Sequence, residues 1–202
     1  MNRKEREKQF RKQEIINAAL EIFSKKGYKA TTLDEIAEKS EFGKGTIYNY
    51  FSSKEEIYTE IIISTINQHQ LMISEIDNNT ETLKEFIEEL LASLIRFSYN
   101  NKESFLLLLF TEIHQSFTAS TEISKIMDNN KKRMTNYFVQ KAETAIKKKE
   151  IRDVDPERVI KLFRGIGFNY IYELLMSGNL KEANIEDEAK FITDILFNGI
   201  KY

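Results

Sequence analysis

The stretch TTLDEIAEKSEFGKGTIYNYFSSK, residues 31–54, contains two short helical segments joined by a turn. Thr32, followed three residues later by Glu35, forms a capping box that predicts the start of the first segment. The second segment begins at Gly43 or Lys44 and ends just before the two serines. Two short helices with a tight turn between them are typical of a helix-turn-helix.

A competing interpretation of the two glycines around Lys44 is a loop that binds the phosphates of a nucleotide. The motif of such loops, G-x-x-x-x-G-K-[ST], needs a glycine where Glu38 stands and a serine or threonine where Gly45 stands. It also needs a preceding β-strand, whereas residues 31–40 are patterned as a capped helix. The sequence therefore disfavours a nucleotide-binding loop.

The second segment has two chemically different faces. Ile47 and Phe51 are four residues apart, so they share one face, which we expect to point inward. The opposite face carries a carboxamide, a methyl-bearing hydroxyl, a phenol and an ammonium group, and such groups can read base edges and bind phosphates. A glycine there lets the backbone approach DNA closely. The residues of this outward face are Lys44, Gly45, Thr46, Tyr48 and Asn49.

The composition of the chain indicates an all-α protein. Its 202 residues are 41% hydrophobic and 31% charged, with one proline, seven glycines and no cysteine. So few turn-forming residues disfavour a β-rich fold, and the lack of cysteine excludes disulfides. The longest apolar run, residues 105–110, is far shorter than the roughly 20 residues of a membrane-spanning helix. Because no apolar segment follows the basic N-terminus, the protein is predicted to be cytoplasmic.

Apolar periodicity predicts about nine helices. The first carries an apolar stripe and ends at Gly27, a predicted C-terminal cap. With the two segments described above it forms a three-helix domain in the first fifty residues. Further helices are predicted over residues 53–75, 82–98, 102–117, 121–149, 156–178 and 185–200. Capping boxes of Ser53 with Glu56 and of Thr82 with Glu85 open two of them, and Asp155 before Pro156 is a predicted N-cap.

Charge is distributed unevenly along the chain. Residues 1–54 carry 12 Lys and Arg against 8 Asp and Glu, whereas residues 55–202 carry 18 against 24. A basic N-terminal quarter is expected where one end of a protein meets a polyanion. A solvated charged face would give the same pattern, so the signal is unspecific by itself.

The segment GYKATTLDEIAEKSEFGKGTIYNYFSSKEEIY, residues 27–58, resembles the DNA-binding signature of the TetR family of bacterial repressors. The matching features are, in order, an aromatic after glycine, paired threonines, Ile-Ala, Gly-Thr-aliphatic-Tyr-x-aromatic-Phe and Lys-Glu-Glu. The match covers about residues 11–60. The resemblance implies a DNA-binding helix-turn-helix domain over residues 1–53 and a larger helical domain for effector binding and dimerisation over residues 54–202.

The resemblance also implies roles for single residues. Thr32 would contact a phosphate as well as cap its helix. Core packing stays an alternative for Tyr48 and Tyr50. The implied base contacts are Lys44, Gly45, Thr46 and Asn49, and the implied phosphate contacts are Thr32, Tyr48, Tyr50 and Lys54.

Three features set this chain apart from the family pattern or leave its role open. Gly43 stands at an N-cap where many members have serine or threonine, and Asp34 stands where some have arginine. The basic residues 3–12 could form a disordered arm that contacts DNA, or a solvated extension of the first helix.

In this family the helices after the DNA-binding domain enclose an effector pocket, and the last two pair with those of a second subunit. By that analogy the predicted pocket residues are Phe110, His114, Phe117, Tyr137 and Phe138. Such an aromatic lining favours a hydrophobic or acyl-type effector. The predicted dimer contacts are Phe163, Gly167, Tyr170, Leu174, Phe191 and Ile195.

The sequence thus predicts a homodimeric transcriptional repressor that a small effector releases from a near-palindromic double-stranded DNA operator. No cofactor, metal site or catalytic residue is predicted, because cysteine is absent and neither His69 nor His114 completes a Glu-x-x-His motif. The alternative keeps the fold but replaces the effector with a protein partner, or with a role in organising chromosomal DNA.

Overall fold

The computed structural model describes residues 2–113, 121–178 and 180–199, so the predicted pocket residues His114 and Phe117 lie outside the described residues. Within these ranges the chain forms nine α-helices, a 3-10 turn at Glu182–Asn184 and no strand. The helices are α1 (Arg3–Ala30), α2 (Leu33–Lys39), α3 (Lys44–Tyr48), α4 (Lys54–Asn79), α5 (Leu83–Asn100), α6 (Lys102–Ile113), α7 (Thr121–Lys147), α8 (Pro156–Ser177) and α9 (Ile185–Asn198). The predicted all-α fold class is confirmed.

Several helices begin at their predicted capping residues. The Thr32 hydroxyl accepts from the Glu35 N–H at 3.3 Å, and the Glu35 carboxylate accepts from the Thr32 N–H at 2.8 Å. Thr82 and Glu85 make the same reciprocal pair at the start of α5, and Asp155 caps α8. Because such partners lie within four residues of each other, local sequence suffices to predict them.

The start of α4 uses a residue that the sequence pattern did not single out. The Glu56 N–H donates to Ser53 Oγ at 3.2 Å, as predicted. The Glu56 carboxylate, however, accepts from the hydroxyl and the N–H of Ser52, at 2.7 and 2.6 Å. These two hydrogen bonds lower the pKa of Glu56. The cap of α4 is therefore shared by both serines.

α1 continues past its predicted end at Gly27, and its start decides between the two alternatives for the basic residues 3–12. It begins at Arg3, where Asn2 and Glu5 form a capping box, so the basic residues 3–12 are a helical extension and not a disordered arm. Gly27, the predicted cap, has φ +79° and kinks the chain, and helical residues follow it. A positive φ suits glycine because it has no Cβ, so the glycine is required by this kink.

The described residues form two compact units, of which the first contains residues 1–67 and 103–127. Its core joins α1, α2 and α3 to the first half of α4 and to parts of α6 and α7. Ile47 and Phe51 are each 1% exposed, which confirms the predicted inward face of the third helix. The bulkiest side chains in this core with almost no exposure are Ile15, Phe23, Ile36, Ile47, Phe51, Ile57 and Ile62.

The second unit contains residues 68–102 and 128–202. In it α5 packs against both α8 and α9, and the Lys84 ammonium pairs with the Asp194 carboxylate at 2.9 Å. The first unit continues past residue 53. The predicted boundary at residue 53 separates two proposed functions and not two compact units, and it stays a prediction. The side chains that α5 buries include Phe86, Ile87, Leu90, Leu91 and Ile95.

The apolar run at residues 105–110 lies in α6. Leu107, Leu108 and Leu109 are buried, as expected of core residues, whereas Phe110 is 39% exposed. Among the described residues, no helix has both the length and the apolar composition needed to cross a membrane.

Candidate DNA-binding site

The helix-turn-helix is held together by its buried face and by backbone hydrogen bonds in the turn. The Phe42 N–H donates to the Ala37 carbonyl at 3.0 Å, which folds the chain back after α2. Glu41, in this turn, adopts φ +57°. Ile36 on α2 and Ile47 on α3 are both buried in the core of the first unit. The contacts of the inner face of α3 therefore fix the orientation of its outer face.

α3 is shorter than predicted, but its hydrogen bonding continues. The helix ends at Tyr48, and the N–H groups of Tyr50 and Phe51 still donate to the Ile47 carbonyl, at 3.0 and 2.9 Å. At its start, Gly43 occupies the N-cap, as predicted, and no side chain caps the helix there. A serine or threonine would supply the missing acceptor.

The residues expected to read bases lie together on one side of α3. Lys44, Gly45 and Asn49 are exposed, and Thr46 is half-buried. Apart from its two chain neighbours and the backbone of its own helix, no heavy atom of the described residues lies within 4 Å of the position that a Cβ on Gly45 would take. The backbone at Gly45 can therefore approach another molecule closely, as the sequence suggested.

The two tyrosines of the signature differ in their surroundings. Tyr48 is 57% exposed, which leaves its phenol available to a ligand. Tyr50 is half-buried and packs against the hydrophobic core of the first unit. Core packing, the alternative considered for both residues, thus applies to Tyr50.

Thr32 is exposed, but its hydroxyl is engaged with Glu35. It donates to Glu35 Oε2 at 2.8 Å in addition to accepting from the backbone. The ammonium of Lys26, followed by Thr32, lowers the pKa of Glu35 to about 2. A carboxylate therefore stays ionised beside the predicted phosphate contact.

A second carboxylate lies next to the predicted base contacts. Lys44 Nζ is 2.5 Å from Asp34 Oδ1, and both side chains are more than half exposed. The sequence showed Asp34 where some members of the family have arginine, and a carboxylate cannot bind phosphate as arginine does. The sequence did not indicate that Asp34, on α2, would pair with the cation of α3, because the pair spans the turn.

Lys54 does not lie on the outward face. Its ammonium donates to backbone carbonyls at the end of α1, those of Thr31 at 2.6 Å, Tyr28 at 2.9 Å and Lys29 at 3.4 Å. It also lies 4.5 Å from the centroid of the Tyr28 ring. The residue that sequence reasoning missed here is Tyr28, the aromatic after glycine in the family pattern.

Two of the predicted pocket residues, Tyr137 and Phe138, lie next to each other in the second unit, with ring centroids 5.4 Å apart. Tyr137 borders two surface cavities of about 430 and 270 Å³, among polar residues such as Gln140. Phe138 packs in an aromatic cluster of the second unit, with ring centroids 6.0 Å from Phe86 and 6.5 Å from Phe163.

Two of the predicted dimer contacts also pack within the second unit, and their role in a dimer stays a prediction. Gly167 is buried, and a Cβ there would meet Leu91 at 3.6 Å. Phe163 is half-buried and packs on Phe138. Gly167 thus lies on the face of α8 that covers α5, and helical periodicity alone did not reveal which apolar face this would be.

The other predicted dimer residues lie nearer the surface. Phe191 is 55% exposed, and Tyr170, Leu174 and Ile195 are half-buried. The Tyr170 hydroxyl donates to Glu188 at 2.6 Å, which links α8 to α9. Four exposed apolar residues at helical spacing on α8, here called the α8 outer stripe, were missed: Val159, Leu162, Ile166 and Met176.

Comparison with known proteins agrees with this geometry. Residues 15–61 match the N-terminal sequence profile of bacterial regulatory proteins of the tetR family. IcaR, the negative transcriptional regulator of the icaADBC biofilm operon in Staphylococcus aureus (strain Newman), is 34% identical over 137 residues, which span 61% of this chain and 73% of IcaR.

Solved structures share the fold over nearly the whole chain. The MbdR regulator from Azoarcus sp. CIB superposes with a TM-score of 0.82 at 22% identity, covering 95% of this chain and 100% of MbdR. The transcriptional regulator FadR from Bacillus subtilis, in complex with stearoyl-CoA, gives a TM-score of 0.70 at 19% identity, covering 94% and 99%. Together with the exposed face of α3 and the match to IcaR, this places the chain in the TetR family of bacterial transcriptional regulators.

Proposed function

We propose that this protein is a homodimeric repressor that binds a near-palindromic operator through α3 and leaves it when a hydrophobic or acyl-type effector binds. The observation that carries the proposal is the outer face of α3. Lys44, Gly45, Tyr48 and Asn49 are exposed there, while Ile47 on the same short helix is 1% exposed and anchors it.

The side chains on this face suit different parts of DNA. The carboxamide of Asn49 can make paired hydrogen bonds to adenine, and Lys44 can donate to guanine. Thr46 offers a methyl group and a hydroxyl. Tyr48 and Tyr50 would donate to phosphates and fix the register, and Thr32 would do so from the start of α2.

A dimer would place two copies of α3 in successive major grooves, about 34 Å apart along the DNA. The α8 outer stripe supports this arrangement, because exposed apolar residues in a row are typical of a surface that another chain covers. Phe191 on α9, with Tyr170, Leu174 and Ile195, would complete the interface. The operator would then mirror the twofold symmetry of the protein.

The effector is proposed from two observations. The FadR regulator that shares the fold was solved with stearoyl-CoA, and the second unit holds an aromatic cluster that includes Tyr137 and Phe138. The proposed pocket residues remain Phe110, His114, Phe117, Tyr137 and Phe138. Binding would favour a conformation whose spacing of the two α3 helices no longer fits the operator.

A gel-shift assay with DNA from around the protein's own gene tests the proposal. We expect retardation at moderate salt, and its loss when stearoyl-CoA is added. Asn49→Ala should relax base preference at one position of each half-site, at a cost of about 1–3 kcal/mol. Its control is Asn67→Ala, an exposed asparagine outside the signature, which should bind as the wild type does.

The possible failures separate the parts of the proposal. Absence of any retarded complex would contradict DNA binding by this surface. Retardation that no acyl-CoA releases, with no rise in melting temperature in its presence, would instead favour control by a protein partner.

A further inference from the structure

We propose that Lys54 is a positioning residue of the DNA-binding site: its ammonium fixes the end of α1, and thereby the start of α2, without contacting phosphate. The inference rests on the proposed DNA binding. It differs from the role that the family resemblance implied, in which Lys54 would bind the DNA backbone.

The end of α1 offers carbonyl groups that lack ordinary helical partners. The last carbonyls of a helix have no N–H four residues ahead to accept from, and the negative end of the helix dipole lies there. Gly27 kinks the chain at this point, so the final turn is irregular. The Thr31 N–H donates to the Tyr28 carbonyl at 3.3 Å and provides one hydrogen bond.

Lys54 supplies the remaining donors. An ammonium group has three N–H donors, and three carbonyl oxygens lie within 3.4 Å of Lys54 Nζ, those of Tyr28, Lys29 and Thr31. To reach a phosphate, the side chain would have to release these acceptors. Burial, and then the positive charge of Lys26, lowers the pKa of Lys54, in keeping with an ammonium partly withdrawn from water.

An aromatic platform holds Lys54 over the helix end. The Tyr28 ring lies beneath the ammonium and packs edge to face on Tyr58 of α4, with centroids 5.0 Å apart. Phe23 contacts both tyrosine rings, at 5.8 and 5.0 Å. The Tyr58 hydroxyl makes a buried hydrogen bond with Thr111 on α6, at 2.6 Å. The platform is thus anchored in the core of the first unit.

The hydrogen bonds from Lys54 to the carbonyls of Tyr28, Lys29 and Thr31 are here called the Lys54 clamp. The position of this clamp explains how it would act on DNA binding. Thr31, whose carbonyl makes the shortest contact with Lys54, directly precedes Thr32, the N-cap of α2. Fixing that carbonyl fixes where α2 begins, and α2 in turn packs against α3. Loss of the clamp would therefore misplace the base-reading face, and Thr32 with it, but would remove no cation that binds phosphate.

The test compares specific with nonspecific binding. A duplex that the wild-type protein selects from random DNA serves as operator, and an unrelated duplex of equal length serves as reference. Dissociation constants for both are measured over a salt series for the wild type, Lys54→Met, Lys54→Arg and Lys44→Met. Melting temperatures establish that each variant is folded at the assay temperature.

A positioning role predicts that Lys54→Met loses about tenfold or more in operator affinity, with little change on the unrelated duplex and an unchanged salt slope. Lys54→Arg should also lose operator affinity although it keeps the charge, because a planar guanidinium cannot direct its donors from one nitrogen to three convergent carbonyls. Lys44→Met, which removes a proposed base contact, should likewise weaken operator binding more than binding to the unrelated duplex.

A phosphate contact predicts the opposite pattern and would overturn the proposal. Lys54→Met would then weaken both duplexes alike and lower the salt slope by about 0.9 for each subunit, and Lys54→Arg would bind as the wild type does. If Lys54→Met is unfolded, the result for Lys54→Arg decides alone. Failure of the wild type to select any duplex would instead contradict the proposed function.

Discussion

At the scale of single residues, the ion pair between Asp34 and Lys44 bears most directly on DNA binding. Both side chains are more than half exposed, so the pair adds at most about 1 kcal/mol to folding stability. We expect its effect on DNA binding to be larger, since the Asp34 carboxylate pairs with the cation proposed to read bases and would repel phosphates. Asp34 should therefore lower affinity for every DNA sequence.

Replacing Asp34 with Asn should tighten binding to operator and unrelated DNA, by about three- to tenfold at low salt, because a repulsive charge is removed and Lys44 is freed. Titration of labelled duplexes at several salt concentrations measures both effects. The same substitution in a Lys44→Met background should give a smaller gain. Equal gains in the two backgrounds would show that Asp34 acts on phosphates alone.

The environment of His69 predicts how folding stability depends on pH. Its Nε2 is buried and has no hydrogen-bond partner among the described residues. Its ring packs edge to face on Phe97, with centroids 4.5 Å apart, and burial lowers its pKa from 6.5 to about 4. The unfolded chain therefore binds a proton more tightly than the folded protein does. Stability is complete above pH 6.5 and is lost as the pH falls toward 4.

The loss attributable to His69 should reach roughly 2–3 kcal/mol near pH 4.5. Chemical denaturation between pH 7 and 4.5 measures it. His69→Phe should flatten the curve in this window. The pKa of Glu35 is lowered to about 2, so this carboxylate affects stability mainly below the window and does not account for the slope within it. A curve with the same slope in wild type and variant would contradict a buried neutral imidazole.

At the scale of helices, the sequence predicts contacts between groups that lie close together along the chain and not those between distant segments. Thr32 and Glu35 are three residues apart, so local spacing reveals their capping box. Lys54 contacts carbonyls 23 to 26 residues earlier in the chain, and no local pattern encodes that approach. α8 carries apolar residues on two faces, and only packing against α5 decides that Gly167 is buried while Leu162 is exposed.

The role of the N-terminal extension of α1 in DNA binding can be tested separately from that of the other helices. Residues 3–9 are exposed, and among the described residues Arg3, Lys4, Arg6 and Lys8 have no ion-pair partner, while Arg11 pairs with Glu7. A preformed helix with free cations can add phosphate contacts at little ordering cost.

Deleting residues 2–8 should weaken binding to all DNA and lower the salt slope by about 0.9 for each lost phosphate contact. Fluorescence anisotropy over a salt series measures the slope. A variant with Arg3, Lys4, Arg6 and Lys8 changed to Gln keeps the length and tests charge alone. An unchanged slope in both variants would mean that the extension lies away from DNA.

At the scale of the whole molecule, charge and assembly bear on the same function. Residues 1–54 carry a net charge of +4 and the rest of the chain −6, from 12 basic against 8 acidic and 18 against 24 residues. This asymmetry would steer the N-terminal part toward DNA and keep the remainder from binding it. In the proposed dimer, one such surface per subunit would cover one half-site, so operator affinity would depend on pairing two subunits.

The α8 outer stripe supplies the test of that pairing. Leu162, at 58% exposure, and Ile166, at 38%, lie four residues apart on the face of α8 turned away from α5. Leu162→Glu places a charge where the proposed interface excludes water, so sedimentation should show monomers with unchanged helical content. Operator affinity should fall by about 100-fold or more, because two half-sites are then bound independently.

Lys161→Glu introduces the same side chain one position away, where Lys161 is 74% exposed, and should leave the dimer intact. A Leu162→Glu protein that still sediments as a dimer would move the interface away from this stripe, and the spacing of the two α3 helices would then have to be set by other surfaces.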